Sequence, residues 1–497
     1  MFNRYATSII AAAVIATLGV TVVGCGRDTS VDSAAEKADS ELITEEILFP
    51  EKYSLIDEKR VTPYKNQHQS GMCWAYTTTA VAESALITAG FEGEDVDLSE
   101  GHVCYTFYSY AEDREEGSSE DGIYVLGEKK KILLNPYYAG GNPIVAMYRF
   151  AAGAGPIYEE EFPIDTDAGQ LKKSVENAMK LEAEGKIQKN MGKYLLTEYD
   201  VYESDEDIKY GLMNRGAVAI GVSMNENGLG LNSNNEACYY YTDATNPPES
   251  TNHVVTIVGW DDTYSKDNFG KVKPNNDGAW LVKDSLSSNL NYRNTGYYWL
   301  SYDEYHMGNT AARFAKREDY GTVLSYDGMM LEEAIKTEGE YTVTANCFTV
   351  EADNAVNAVG VCVCNPKQKM DIEIYLNPEA DRPDSGEAVY TDSVIVDFVG
   401  YKVIDLGEAI DVKAGDRIGV VVRYHNIEGQ SKIAPVEGDT NYINLGSLGE
   451  LYITSKPGES YALKDGIWYD LSDAESAGVF GKTGIINNAR IKLLLSK

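Results

Sequence analysis

The sequence predicts an α+β chain whose first part carries a buried helix, whose middle is β-rich, and whose last third or more is an all-β sandwich. Three stretches carry that reading. Trp74-Ala-Tyr-Thr-Thr-Thr-Ala-Val-Ala-Glu-Ser-Ala-Leu-Ile is an apolar run with small residues suited to close helix packing. Around Gly211-Leu-Met-Asn-Arg-Gly-Ala-Val-Ala-Ile-Gly-Val a helical pattern gives way to a buried strand, and His253-Val-Val-Thr-Ile-Val-Gly-Trp is strongly β-prone up to a glycine turn. From about Glu318 short alternating strands recur at regular spacing, among them Ala345 to Val350, Ala358 to Val363, Asp371 to Leu376, Tyr401 to Leu406 and Arg417 to Tyr424, with turns at Ser385-Gly386, Lys413 to Asp416 and Lys464 to Gly466.

A length of 497 residues exceeds one ordinary core and implies two domains with accessory segments. Hydrophobic residues at 43% and 36 tyrosines mark the chain as globular. A net charge of −35 excludes nucleic acid and anionic membrane surfaces as partners, because phosphate binding needs concentrated Lys and Arg. The acidic stretch from Ala111 to Lys131 lacks the ligand spacing of a calcium loop and reads as a solvated surface insertion, and Gln170 to Lys193 reads as a charged surface helix or loop.

At the N-terminus Arg4 precedes an apolar run from Ile9 to Val23 and then Gly24-Cys25, the pattern of an export signal. Val22-Val23-Gly24-Cys25 resembles a bacterial lipobox, which implies cleavage before Cys25 and lipidation of that residue. Residues 1–25 are thus expected to be a lipoprotein signal and residues 26–48 a polar tether holding an exported body on the outer face of the cell membrane. The seven cysteines form no even, regularly spaced framework, so few or no structural disulfides are expected. Cys362 and Cys364, two apart in a strand pattern, are expected on one face and in the core.

The chemistry centres on Lys65-Asn-Gln-His-Gln-Ser-Gly-Met-Cys-Trp-Ala-Tyr. Turn-prone residues end at Cys73, placing its thiol on the first turn of a helix, where free N–H groups and partial positive charge favour a thiolate. Gln67, six residues upstream, offers a side-chain amide that can donate to the oxyanion formed when a thiolate attacks a carbonyl, with the Cys73 N–H as second donor. Together these residues resemble the active-site segment of papain-like cysteine peptidases. The sequence departs from that family at Ser70, where a disulfide-forming cysteine is usual, and at Met72.

That resemblance continues along the chain and implies a two-lobed papain-like domain over residues 49–317, a helical lobe followed by a β-barrel-like lobe. Leu98-Ser99-Glu100 resembles the family's next helix start, with Ser99 as N-cap. Gly140-Gly141-Asn142-Pro143 matches the segment that pairs with extended substrate, so Gly140 and Gly141 are candidate backbone partners and Asn142 and Pro143 candidate pocket residues. Asn252-His253 matches the base-bearing strand, making His253 the candidate base and Asn252 a candidate substrate neighbour. Asp284 stands where the family has the Asn that orients the histidine, and Leu286 and Ser287 replace its Trp and Gly. Too few residues separate Cys25 from Phe49 for the family's long helical propeptide.

Residues 318–497 resemble the lectin-like domain appended to certain bacterial papain-like peptidases, which implies a carbohydrate or cell-surface ligand. The reading is a cysteine endopeptidase using Cys73, His253, Asp284 and Gln67 on peptide or protein substrates at the bacterial cell surface, with no metal and no organic cofactor. Two alternatives come from other classes: a surface adhesin or carbohydrate-binding protein retaining the peptidase fold with weak or no activity, and a Cys/His cell-wall amidase or transglutaminase-like acyltransferase.

Overall fold

The computed structural model describes residues 48–68, 70–107, 122–124, 137, 140–166, 170, 173–174, 176–177, 180–181, 184–186, 191–241, 251–286, 296–327, 332–438, 443–444, 450–452, 455–482 and 486–496. The signal, Cys25, the tether up to residue 47 and Ser287 lie outside them, as does all but residues 122–124 of the acidic insertion. Strand β1 (Lys52–Ser54) is followed by α1 (Cys73–Thr88), α2 (Glu100–Phe107) and α3 (Pro143–Arg149), then by β2 (Tyr194–Val201), α4 (Asp205–Asn214) and β3 (Val218–Val222). They are followed by β4 (His253–Asp261), β5 (Ala279–Lys283), β6 (Tyr297–Ser301) and β7 (His306–Lys316).

Local signals account for where the helices start. Ser99 Oγ accepts from His102 N at 3.0 Å at the head of α2, and Ser204 does the same for Asp207 N above a first turn of Asp205, Glu206 and Asp207 in α4. Asn142 caps α3 by accepting from Ile144 N at 2.9 Å, with Pro143 at the first helical position, where it forfeits no hydrogen bond. Helix α1 has buried residues on every face, from Trp74 through Leu86, because small side chains let both lobes close on it. Strand β4 is buried over all nine residues, consistent with its unbroken β-branched and apolar run.

The strands of the second domain include β8 (Thr322–Ser325), β9 (Tyr341–Thr349), β10 (Asn354–Val363), β11 (Gln368–Leu376), β12 (Glu387–Val396), β13 (Val399–Val412), β14 (Arg417–His425), β15 (Ser460–Lys464), β16 (Ile467–Asp470) and β17 (Ile491–Leu495). Six of them form a sheet in the order β12-β11-β14-β9-β15-β16. Its inner face, including Ile372, Ile374, Val420 and Val422, packs on Val356, Val359, Val361, Leu493 and Leu495 of the opposing sheet, the sandwich core the alternation predicts.

That opposing sheet does not end at the domain boundary. It runs β8-β17-β10-β13-β2-β7-β3-β4-β5-β6 and on into the short strands Ala237–Tyr239 and Leu229–Leu231, with β1 added beside β4. The junction is the antiparallel pair β2–β13, with Tyr199 opposite Tyr401 and Glu198 opposite Lys402. Gly400 makes that approach feasible. Its φ is +137°, and a Cβ there would stand 2.1 Å from Tyr199 O. Beside the pair, Glu198 binds Arg215 at 2.7 Å and Lys402 at 2.5 Å, all three cut off from most solvent.

The six described cysteines form no disulfide with one another. Cys362 is core, as expected, but β10 ends at Val363, so Cys364 falls beyond the strand and is only half-buried.

Candidate active site

Cys73 is the first residue of α1 and is partly exposed, while Trp74 and Met72 on either side are fully buried. The nucleophile loop is pinned by Gly71 N donating to Tyr137 O at 2.8 Å. At Ser70, where a disulfide would close the loop in most relatives, hydrogen bonds do so instead. Ser70 Oγ donates to Gln67 O at 2.8 Å and Ser70 O accepts from Gln67 Nε2 at 2.9 Å.

His253 opens β4 and lies close enough to Cys73 for the thiol to act on its charge. Its Nε2 lies 2.9 Å from Asp284 Oδ1, just past the end of β5, which pairs with β4. Burial alone would push the imidazolium down. The charge and hydrogen bond of Asp284, with Cys73 beyond, outweigh that and hold the His253 pKa raised to about 10. Asp284 Oδ1 also accepts from Leu286 N at 2.8 Å, and Oδ2 is buried with no hydrogen-bond partner. The carboxylate is 0% exposed and His253 5%, so the pair is shielded from water although Leu286 stands where the family has Trp.

Gln67 is 3% exposed and held from three sides. Its N–H donates to Ser285 O at 3.0 Å, its Oε1 accepts from Ser285 Oγ at 2.7 Å, and Ser70 O takes one proton of Nε2. The second Nε2 proton is left for an acceptor outside the loop. Ser285 went unnoticed in the sequence. A serine after a strand carries no signal of its own, and its role shows only once β5 and the Gln67 loop are brought together.

The remaining candidates divide. A Cβ on Gly141 would stand 2.4 Å from the Trp74 ring, so the glycine lets the 140–142 segment lie against the residue after Cys73. Pro143 is buried at the start of α3, and the Asn142 side chain is spent on capping that helix. Asn252 is spent too: Oδ1 accepts from Met224 N at 2.7 Å and Nδ2 donates to Met224 O at 3.0 Å. It orders the segment after β3 beside His253. No cluster of three or more His, Cys, Asp or Glu able to hold a metal occurs among the described residues.

Behind the site, Lys65 Nζ binds Glu83, Asp97 and Glu100, while Lys283 Nζ donates to Thr62 O and Oγ1, both at 3.0 Å. Thr62 Oγ1 in turn donates to Glu83 Oε2. This buried network ties β5 to α1 and α2, fixing the two lobes around the dyad.

A family model described as papain family cysteine protease matches residues 49–316, just over half of the chain, and one described as lectin like domain matches residues 323–482. Probable cysteine protease RD19B of Arabidopsis thaliana is 25% identical over 242 residues, which are 48% of this chain and 54% of that protein. The chain thus spans about half the length of this curated relative. Among solved structures, the cysteine protease and lectin-like domains of Cwp84, a surface layer associated protein of Clostridium difficile, align with a TM-score of 0.68 at 21% identity over 90% of this chain and 89% of that one. A clostridial Cwp84 structure obtained after propeptide cleavage gives the same score and identity over 90% and 99%. At that identity the likeness is one of fold, and it extends across both domains.

Proposed function

Because the chain belongs to the papain family of cysteine proteases, we propose that it hydrolyses peptide bonds as an endopeptidase, with Cys73 as nucleophile, His253 as base and acid, Asp284 as orienting carboxylate and Gln67 as oxyanion donor. The observation that carries this is the buried His253–Asp284 pair at 2.9 Å, aimed at the thiol that opens α1.

His253 takes the Cys73 proton, and the helix N-terminus and the imidazolium stabilise the thiolate. The thiolate adds to the scissile carbonyl. The oxyanion accepts hydrogen bonds from the second N–H of Gln67 Nε2 and from the Cys73 backbone N–H. His253 then gives its proton to the leaving amine, whose departure leaves a thioester. Water, deprotonated by His253, adds to the thioester, and the thiolate leaves with release of the acid product. Gly140 and Gly141 offer backbone groups to the extended substrate, flanked by Asn142, Pro143 and Asn252.

The expected signal and tether support an activity outside the cell, in a protein exported and lipid-anchored through Cys25 on the outer face of a bacterial membrane. Residues 49–317 form the peptidase unit and 318–497 the lectin-like unit, which takes a carbohydrate or other cell-surface ligand. The surface-layer association of Cwp84 supports a surface location. Replacing Cys73 with Ala tests the reading: hydrolysis of a mixed peptide library should vanish, and turnover equal to the wild type would refute it.

A further inference from the structure

The peptidase cleft and the lectin-like domain meet at a buried set of rings and charges. Arg490, 0% exposed and just ahead of β17, lays its guanidinium 4.6 Å from the ring centroid of Tyr148 on α3. Tyr148 meets Tyr199 of β2 edge-on at 5.7 Å, and Tyr199 stacks on Tyr401 of β13 at 6.2 Å. Lys492 of β17 covers the outer ring, 5.7 Å from the Tyr401 centroid. Asp327 serves both cations, binding Lys492 closely and Arg490 at 3.6 Å. A cation over an aromatic face is worth most when both are desolvated, as here.

The contact falls on α3, the helix that Asn142 caps and that follows the Gly140-Gly141 segment. The far end of this helix is held as well. Past its last turn, Arg317 at the domain junction donates to Gly153 O at 2.8 Å, and to Met191 O and Gly192 O at 2.7 and 2.8 Å. At the near end, Gly141 rests on Trp74, next to Cys73. A shift of α3 would therefore move the cleft wall relative to the nucleophile, whose base and orienting carboxylate sit on β4 and just past β5.

We propose that the lectin-like domain is a working part of the cleft and that Arg490 is its positioning residue. Held on Tyr148, it fixes α3, and with it Gly140 to Asn142, where an extended peptide can pair beside Cys73. This rests on the peptidase reading above. Removing the Arg490 side chain leaves Asp327 its Lys492 partner.

The test compares two thiol reagents on the full chain. Iodoacetamide, read by mass spectrometry at the peptide that carries Cys73, reports the reactivity of that thiol, whereas a Phe-Ala peptidyl chloromethyl ketone must also occupy the cleft. Arg490→Met should slow labelling by the peptidyl reagent roughly tenfold, through a higher half-saturating concentration at an unchanged limiting rate, with iodoacetamide changed less than about twofold. Arg490→Lys, which keeps a cation over the ring, should recover most of the loss. Tyr148→Leu removes the ring from the other side while leaving the Arg490–Asp327 contact, and should give the same split should Arg490→Met not fold. An unchanged peptidyl rate in a folded variant, or a parallel fall with both reagents, would overturn the proposal. Failure of both reagents to label wild-type Cys73 would instead refute the peptidase reading on which it stands.

Discussion

Replacing Asp284 with Asn isolates what a carboxylate does where relatives carry an amide. Asn keeps an acceptor at the Oδ1 position, 2.9 Å from His253 Nε2, and removes only the charge. Two unit charges about 4 Å apart at an effective dielectric of about 20 interact by ~4 kcal/mol, or about three pKa units at 1.36 kcal/mol each. Burial acts against the imidazolium in both proteins, so the pKa of about 10 should fall by about one to three units in the variant. The alkaline limb of kcat/KM, where the imidazolium stops serving as acid, should move to lower pH by that amount, while activity near pH 6 is preserved or raised. The sign for stability follows from the raised pKa. The pair's contribution is full below the unfolded histidine value near 6.5 and is lost as pH rises through about 10, so the wild-type advantage in Tm should be largest in mild acid and should narrow toward pH 10. The assay is the pH profile of kcat/KM on one peptide for both proteins, with iodoacetamide alkylation of Cys73 across the same range. An alkaline limb displaced by less than about 0.3 unit, or a large loss of activity near pH 6, would refute the reasoning.

Ser285→Ala removes the hydroxyl that holds Gln67 Oε1 and should lower kcat about five- to tenfold with KM nearly unchanged, the rate equivalent of one lost hydrogen bond of ~1 kcal/mol; a KM effect alone would contradict an oxyanion role. Gly141→Ala drives a Cβ into the fully buried Trp74 ring and should cost about 1–3 kcal/mol by thermal unfolding and most of the activity; near-wild-type turnover would show that the segment can shift freely. Gly400→Ala, strained at φ +137° and blocked by Tyr199 O, should lower the unfolding temperature of both domains together. Separate transitions, with only the second domain shifted, would show that the shared sheet does not couple them.

The sequence was most legible where one local signal determined one local structure. Cys73 at a helix start, His253 at the head of a buried strand, Ser99 as a cap and the alternating strands after Glu318 all follow from short-range rules of spacing and capping. What it concealed is long-range. Nothing near Gly400 announces that its strand adds to β2 two hundred residues earlier, because an edge pairing is specified by two distant segments at once. The double use of Ser285, the spending of Asn142 and Asn252 on backbone groups, and the seat of Arg490 on Tyr148 likewise depend on partners that only the fold assembles. The exchange of Trp for Leu286 removes a side chain that would shield the orienting hydrogen bond. The folded chain buries Asp284 and His253 nonetheless, so exposure at that point is decided by surrounding packing rather than by one side chain.

Covalent capture tests the central claim most directly. The enzyme would be mixed with a peptide p-nitrophenyl ester, quenched in acid within milliseconds to seconds, digested and read by mass spectrometry. An acyl group should appear on Cys73, absent in Cys73→Ala and formed far more slowly when His253 is replaced by Ala, which removes the base that deprotonates the thiol. Hydrolysis of the ester by an enzyme whose Cys73 never carries the acyl group would contradict it.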